Sequence, residues 1–128
     1  MIKLKETLIK ESPIAYHVAE ENVRNSIKKY GLDPNKYSNN DRTTNGNYIY
    51  VFLKYSECVS YINAYNYFLK RQDEDEKYFD IWEINTEGLR LIKDLNLNTG
   101  DDPMKDSAYF TKAPINKKRL KLKEMGIQ

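Results

Sequence analysis

The sequence has one cysteine, Cys58, and one histidine, His17, in 128 residues. A single cysteine excludes a disulfide within the chain and a cysteine-based zinc site, and a single histidine excludes a paired-histidine zinc motif. The sequence also lacks a glycine-rich phosphate loop and a serine–histidine–acid set with a supporting pattern. We therefore expect no bound metal. We expect Cys58, which falls in an apolar helical pattern, to be buried and inert.

Long apolar runs and a signal peptide are also absent, so the sequence predicts no membrane span and a cytoplasmic location. Charge is nearly balanced, because 21 basic and 19 acidic residues leave a net charge of +2. This balance gives no argument from charge alone for nucleic-acid binding. The length predicts one domain over residues 1–128. The bias toward Lys, Asn, Tyr and Ile indicates an AT-rich genome, bacterial or phage.

Hydrophobic periodicity predicts two main helices, over residues 20–30 and 56–71. Gly31 is the expected C-terminal stop of the first helix, and Ser56 is the expected N-cap of the second. In the first helix we expect one face to carry Val23, Ile27 and Tyr30. In the second we expect these residues to face the core: Cys58, Val59, Ile62, Tyr65 and Leu69.

The remaining apolar segments alternate as strands do and are separated by polar loops. Residues 1–12 are interpreted as a leading strand or arm. The predicted strands cover residues 14–18, 48–53, 78–85, 89–92, 107–111 and 119–123, and the longest loops cover 33–47 and 94–105. Because the helices come early and strands dominate afterwards, the order indicates an α+β fold rather than a regular βαβ winding.

His17 lies in the first predicted strand, just before the first helix. A histidine in this position can direct its ring toward the end of the strand, where ligands often bind. The alternative is a satisfied core histidine in an apolar run. A second ambiguous feature is the C-terminal run of Lys117, Lys118, Arg119, Lys121 and Lys123. It predicts an edge strand protected by lysines, or alternatively a contact for nucleic acid or an acidic protein.

The order of these pieces resembles the ADP-ribosyltransferase-like fold of the poly(ADP-ribose) polymerases, DarT-type enzymes and tRNA 2′-phosphotransferases. The resemblance covers roughly residues 13 to 123. It rests on Tyr16-His17, on the helix that ends at Gly31-Leu32, on the tyrosine-rich strand that contains Tyr50, on the helix that contains Tyr61, and on the late strand at Tyr109. It implies two split or bent β-sheets, packed with the two helices, and a cleft between the sheets at His17.

The resemblance also implies that NAD is the substrate and cofactor. By this analogy Tyr16 and His17 belong to the NAD-binding site, and His17 hydrogen-bonds the ribose hydroxyls. Tyr50 lines the nicotinamide pocket, and Tyr61 stacks on the nicotinamide ring, where cation–π attraction contributes. Arg42, in the first polar loop, matches an arginine that grips the pyrophosphate. Packing is the alternative role for both tyrosines, and a solvated loop charge is the alternative for Arg42.

Two positions depart from the pattern of these families. The NAD-using transferases have a late-strand glutamate that stabilises an oxocarbenium-like transition state, and Ala108 stands in its place. Asp106, two residues earlier, is the acid that we assign to catalysis with His17 and Tyr61, although a loop role is the alternative for Asp106. Ala19 stands where relatives often have Ser or Thr. The extra basic residues of the phosphotransferases are not found.

Two functions of different classes follow. The first is a small NAD-dependent ADP-ribosyltransferase that modifies a protein or nucleic-acid target. The second is a catalytically inactive module of the same fold that binds a nucleotide or a partner protein, such as a phage-encoded inhibitor of a host system. The retained His17, Tyr50 and Tyr61 favour the first function, and Ala108 favours the second.

Overall fold

A computed structural model describes residues 14–33, 49–93 and 108–128. Six strands and two α-helices are formed there. The strands are β1 (Ile14–Glu20), β2 (Ile49–Phe52), β3 (Phe79–Asn85), β4 (Ile92–Lys93), β5 (Ala108–Thr111) and β6 (Leu120–Ile127). The helices are α1 (Arg24–Tyr30) and α2 (Tyr55–Arg71), and short 3₁₀ turns at Glu21–Val23 and Lys117–Arg119 precede α1 and β6. The predicted α+β class is confirmed.

The described strands form one antiparallel sheet in the order β4-β5-β2-β1-β3-β6. The sequence predicts two split or bent sheets, whereas the described strands are hydrogen-bonded into a single one. Strands β1 and β2 share one registered pair, Tyr16 opposite Phe52. On its other side β1 pairs with β3 along its whole length, from Ile14 opposite Asn85 to Glu20 opposite Phe79. The β1–β2 boundary therefore has the fewest registered pairs in the described sheet.

Helix α2 covers one face of the sheet with an amphipathic stripe. Cys58, Ile62 and Leu69 are buried, and Val59 and Tyr65 are partly buried, as their helical spacing predicts. The predicted N-cap is wrong. Ser56 lies inside the helix, where its carbonyl accepts a hydrogen bond from the Ser60 hydroxyl. The residue that precedes the helix is Lys54, which makes no side-chain cap.

The opposite face is covered by α1 and the segments around it. Ile27 of α1 packs there in an apolar cluster with residues of the central strands β1, β2 and β3. The cluster comprises Ala15, Ala19, Ile27, Leu32, Ile49, Val51, Trp82, Ile84 and Ile115. The predicted helix 20–30 begins as a 3₁₀ turn and becomes α-helical only at Arg24. Tyr30 was expected on the buried face but is 49% exposed, because the helix ends there and Gly31 turns the chain toward Leu32.

A bidentate ion pair holds α1 to the sheet. Arg24 Nε and Nη2 donate to Asp80 Oδ2 and Oδ1, both at 2.8 Å, and the Gly126 amide donates to Asp80 Oδ1 at 3.0 Å. The hydrogen bond to Asp80 raises the pKa of the Arg24 guanidinium. Asp80 is fully buried, so these three donors compensate the desolvation of its carboxylate.

Strand β6 is the outermost strand of the described sheet beside β3. Its lysines Lys121 and Lys123 are exposed and alternate with the partly buried Leu120 and Leu122, which confirms the prediction of a lysine-protected edge strand. Among the residues that the structure describes, neither helix has the length and apolar character needed to cross a membrane.

Candidate functional site

His17 lies at the β1–β2 boundary. The residue is fully buried, and in the β1–β3 ladder it stands opposite Trp82. Its Nδ1 lies 2.7 Å from the carbonyl oxygen of Tyr50. Because a carbonyl oxygen only accepts, Nδ1 carries the proton and donates it to that oxygen. In the neutral ring Nε2 is then the nitrogen with acceptor character.

This hydrogen bond joins two strands that have a single registered pair. Tyr16 and Phe52 form that pair, and toward the start of β2 the imidazole of His17 adds a hydrogen bond to the Tyr50 carbonyl. The His17 side chain of β1 is thus hydrogen-bonded to the main chain of β2 at the boundary between the two strands. Such a contact fits a structural histidine, and it also fixes the ring orientation that a ligand-binding histidine needs.

Tyr50 and Tyr61 lie on the side of the sheet that α2 covers. Along β2 the residues Ile49 and Val51 belong to the α1-side cluster, so Tyr50 and Phe52 point the other way. The ring of Tyr50 packs against Phe110 at 5.9 Å between centroids. The ring of Tyr61 packs against Phe52 at 5.5 Å.

His17 shares the face of Ala15 and Ala19, which is the α1 side. Its bond to Tyr50 is therefore to the main chain and not to the ring. A ligand that touches His17 and the rings of Tyr50 and Tyr61 would have to pass through the β1–β2 boundary. The convergence of these three side chains in one cavity stays a prediction.

Tyr16 belongs to an aromatic layer between the sheet and α2. Its ring meets Tyr55 edge-on at 6.0 Å, and the Tyr55 hydroxyl donates to the Glu124 carboxylate. That hydrogen bond, with a smaller contribution from burial, raises the pKa of Tyr55 to about 12. Further rings continue the layer along α2: Phe52, Tyr61, Tyr65 and Phe79. The helical periodicity predicts the inward position of Tyr65, but it does not reveal the Tyr55–Glu124 contact, which joins residues 69 positions apart.

Ala108 is the first residue of β5 and stands opposite Phe52. Because Phe52 also stands opposite Tyr16, the strands that carry Ala108, Tyr50 and His17 are immediate neighbours. Arg42 and Asp106 lie outside the described residues, as do residues 1–12. Within residues 14–33, 49–93 and 108–128 no group of His, Cys, Asp and Glu side chains has the arrangement of a metal site.

Cys58 is fully buried at the sheet face of α2. Burial is the main cause that raises the pKa of its thiol to about 12, so the nucleophilic thiolate is disfavoured at neutral pH. The sequence predicts this outcome from the apolar surroundings of Cys58. The Arg24–Asp80 pair was not predicted, although an acidic residue within the apolar run Phe79–Asn85 is a signal that a cation lies nearby.

Comparison of the sequence with models of protein families gives no match, and no curated protein matches it either.

Proposed function

We propose that this chain is an ADP-ribosyltransferase-like protein that binds NAD or a related nucleotide where β5, β2 and β1 adjoin. One observation carries the proposal. The three positions that the resemblance assigns to the nucleotide site, His17, Tyr50 and Ala108, fall on three neighbouring strands in the order β1, β2 and β5. Residues from distant parts of the sequence thereby lie on adjoining strands, with His17 on the α1 face and the ring of Tyr50 on the α2 face.

The aromatic layer supplies the chemistry that recognises nicotinamide. Tyr61 is half-buried and lies over Phe52, which stands at the centre of the three strands. The nicotinamide of NAD is a planar cation, and it gains stacking and cation–π energy between electron-rich rings. The fixed tautomer of His17 gives the site an oriented imidazole at the β1–β2 seam.

Transfer of ADP-ribose to a protein or nucleic-acid target requires an anion beside the ribose, because positive charge develops there in the transition state. The methyl group of Ala108 cannot supply it. In the catalytic form of the proposal Asp106 fills this role. Asp106→Asn then keeps the shape of the side chain, removes the charge, and lowers the rate at least about a hundredfold.

A binding module without catalysis is the second candidate, and two observations favour it. His17 is fully buried and already hydrogen-bonded to Tyr50. Ala108 begins β5 where the transferases have glutamate. In this form the protein holds a nucleotide or a partner protein and leaves NAD intact, as an inhibitor of a host system would.

The transferase and the nucleotide-binding module would both bind NAD, and calorimetry with NAD tests this binding. Tyr61→Ala should weaken NAD binding by about 1–2 kcal/mol, the contribution of one stacking contact. Tyr67→Ala is the matched control, because Tyr67 lies on the same helix, is 64% exposed and packs its ring on Arg71. Equal affinity of the two variants would remove Tyr61 from the site. An absence of NAD binding by the parent protein would contradict the nucleotide proposal.

Labelled NAD incubated with the protein and a host lysate separates the two forms. Transfer of label to a macromolecule, lost in Asp106→Asn, supports the transferase. NAD binding without transfer, in every lysate tested, supports the binding module. Full activity of Asp106→Asn would contradict the role assigned to Asp106.

A further inference from the structure

A depression lies between the C-terminal end of α1 and the start of β6, on the face of the sheet opposite α2. Its volume is about 300 Å³, and its lining residues are Ile27, Lys28, Trp82, Lys117, Lys118 and Leu120. Three of these six residues are lysines and none is acidic. The charge of this depression is therefore of one sign, although the chain as a whole carries a net charge of only +2.

The three lysines are not used elsewhere. Lys28, Lys117 and Lys118 are exposed, and none forms an ion pair with a residue that the structure describes. Their basic neighbour Arg119 is different, because its Nη1 donates to the carbonyls of Asn85 and Glu87. Lys28 also complements the negative end of the α1 dipole, but that role does not explain the lysines on the other wall.

Trp82 adds an independent observation. Its side chain lines the depression and is only 3% exposed, and no described residue accepts a hydrogen bond from its Nε1–H. The indole nitrogen is a donor only, and a buried donor without an acceptor is unfavourable. Because the nitrogen itself is buried, an acceptor oxygen of a ligand in this depression would satisfy it once the lining side chains shift. A neutral donor beside three ammonium groups indicates an anion with several oxygens.

The walls of the depression are held at a fixed separation. Leu32 and Ile115 exchange two main-chain hydrogen bonds, at 3.0 and 2.7 Å, directly after α1 and directly before the lysine-bearing turn. Asn116 accepts a hydrogen bond from the Lys118 amide and so orders that turn. The lysines therefore project from anchored main chain, which reduces the entropy lost when they bind a ligand.

We propose that this depression binds a phosphate group, with Lys28, Lys117 and Lys118 supplying charge and Trp82 supplying a hydrogen bond. The inference does not depend on the proposed function, because the β5–β2–β1 junction contributes none of the lining residues. The phosphate belongs to a free nucleotide or to a nucleic-acid strand. In the second case one phosphate of the strand occupies the depression, because Lys121 and Lys123 of β6 alternate with Leu120 and point to the α2 face, where Lys123 lies over the Tyr55 ring.

Trp82 is the only tryptophan of the chain, so a ¹⁵N-labelled sample has a single indole N–H resonance. A change in the chemical shift of that resonance reports binding in the depression. Pyrophosphate titrated into the whole protein should shift that resonance in a saturable manner. Lys117→Gln and Lys118→Gln should each weaken the binding about tenfold, as the loss of one charge-assisted hydrogen bond predicts. Trp82→Phe, which deletes the donor, should weaken it in calorimetry.

Lys70→Gln is the control for charge alone, since Lys70 is an exposed lysine near the end of α2 on the other face. An indole resonance that does not move, or an equal loss of affinity in Lys70→Gln and Lys118→Gln, would overturn the proposal. An oligothymidylate that binds more tightly than pyrophosphate, shifts the indole resonance and is weakened by Lys118→Gln supports the proposal and assigns the phosphate to a nucleic-acid strand. The reverse order of affinities supports it and assigns the phosphate to a free nucleotide.

Discussion

Gly31 and Ile115 approach so closely that no side chain fits between them. A Cβ atom at Gly31 would lie 2.4 Å from the Ile115 carbonyl oxygen and 2.8 Å from the Lys117 amide nitrogen. The backbone of Gly31 has φ 76° and ψ −160°, a region that glycine alone adopts readily. This contact sets the distance between the end of α1 and the segment that leads into β6.

Gly31→Ala should therefore destabilise the protein by about 3 kcal/mol, the sum of backbone strain and overpacking. Gly88→Ala provides the comparison. Gly88 has a similar φ of 78°, but its added Cβ would meet only the Arg119 guanidinium at 3.8 Å, so about 1 kcal/mol is expected. Urea unfolding followed by far-UV circular dichroism measures both. Equal losses in the two variants would show that the close approach to Ile115 has no energetic weight.

The buried carboxylate of Asp80 is the second stability determinant. Asp80→Asn keeps the shape but removes the charge that pairs with Arg24, and it places an amide donor near the guanidinium donors. We expect a loss of about 2–4 kcal/mol in the free energy of unfolding. Asp75→Asn removes the same charge from the exposed connection before β3 and should change stability by less than about 0.5 kcal/mol. Similar unfolding curves for the two variants would refute the role of the Arg24–Asp80 pair.

Tyr55 should contribute to the alkaline unfolding of the protein. Its pKa is about 12 in the folded state against an ordinary value of 10.0, because its hydroxyl donates to Glu124. A raised pKa means that the folded state favours the neutral phenol, so this stabilisation is fully present below pH 10 and is lost as the pH rises from about 10 to about 12.

Tyr55→Phe should be less stable than the parent protein below pH 10, and the difference should shrink over that interval. Thermal unfolding of both proteins between pH 8 and pH 12 measures the effect. The comparison is needed because the chain has ten further tyrosines, out of 11 in all, that also ionise in alkali. A difference that stays constant with pH would contradict the assigned Tyr55–Glu124 bond.

Much of the fold follows from local pattern. The short apolar run around His17 predicts β1, and the helical spacing from Cys58 to Leu69 predicts α2 and its buried face. The N-cap at Ser56 failed because a helix can begin without a side-chain cap when its apolar stripe packs on a sheet. Periodicity predicts which face of an element a residue occupies but not which strands pair. The single sheet and its strand order therefore could not be predicted from it.

The candidate site was predictable only in part. The resemblance predicts His17, Tyr50 and Tyr61 as site residues, and the structure shows that the His17 imidazole donates to the Tyr50 carbonyl. The phosphate-binding depression depends on the docking of Lys28 beside Lys117, which are 89 positions apart in the sequence. No local signal reports such a contact. The lysine run before β6 indicates only that a basic surface exists there.

A nucleotide site at the junction of β5, β2 and β1 can be tested by an NMR titration of the ¹⁵N-labelled protein with NAD. We expect saturable shifts of the amide resonances of His17, Phe52 and Tyr109, which represent the neighbouring strands β1, β2 and β5. Shifts confined to the Trp82 indole and residues 117–123 would place NAD in the phosphate-binding depression instead. That result, or an unchanged spectrum, would contradict a nucleotide site at the junction of β5, β2 and β1.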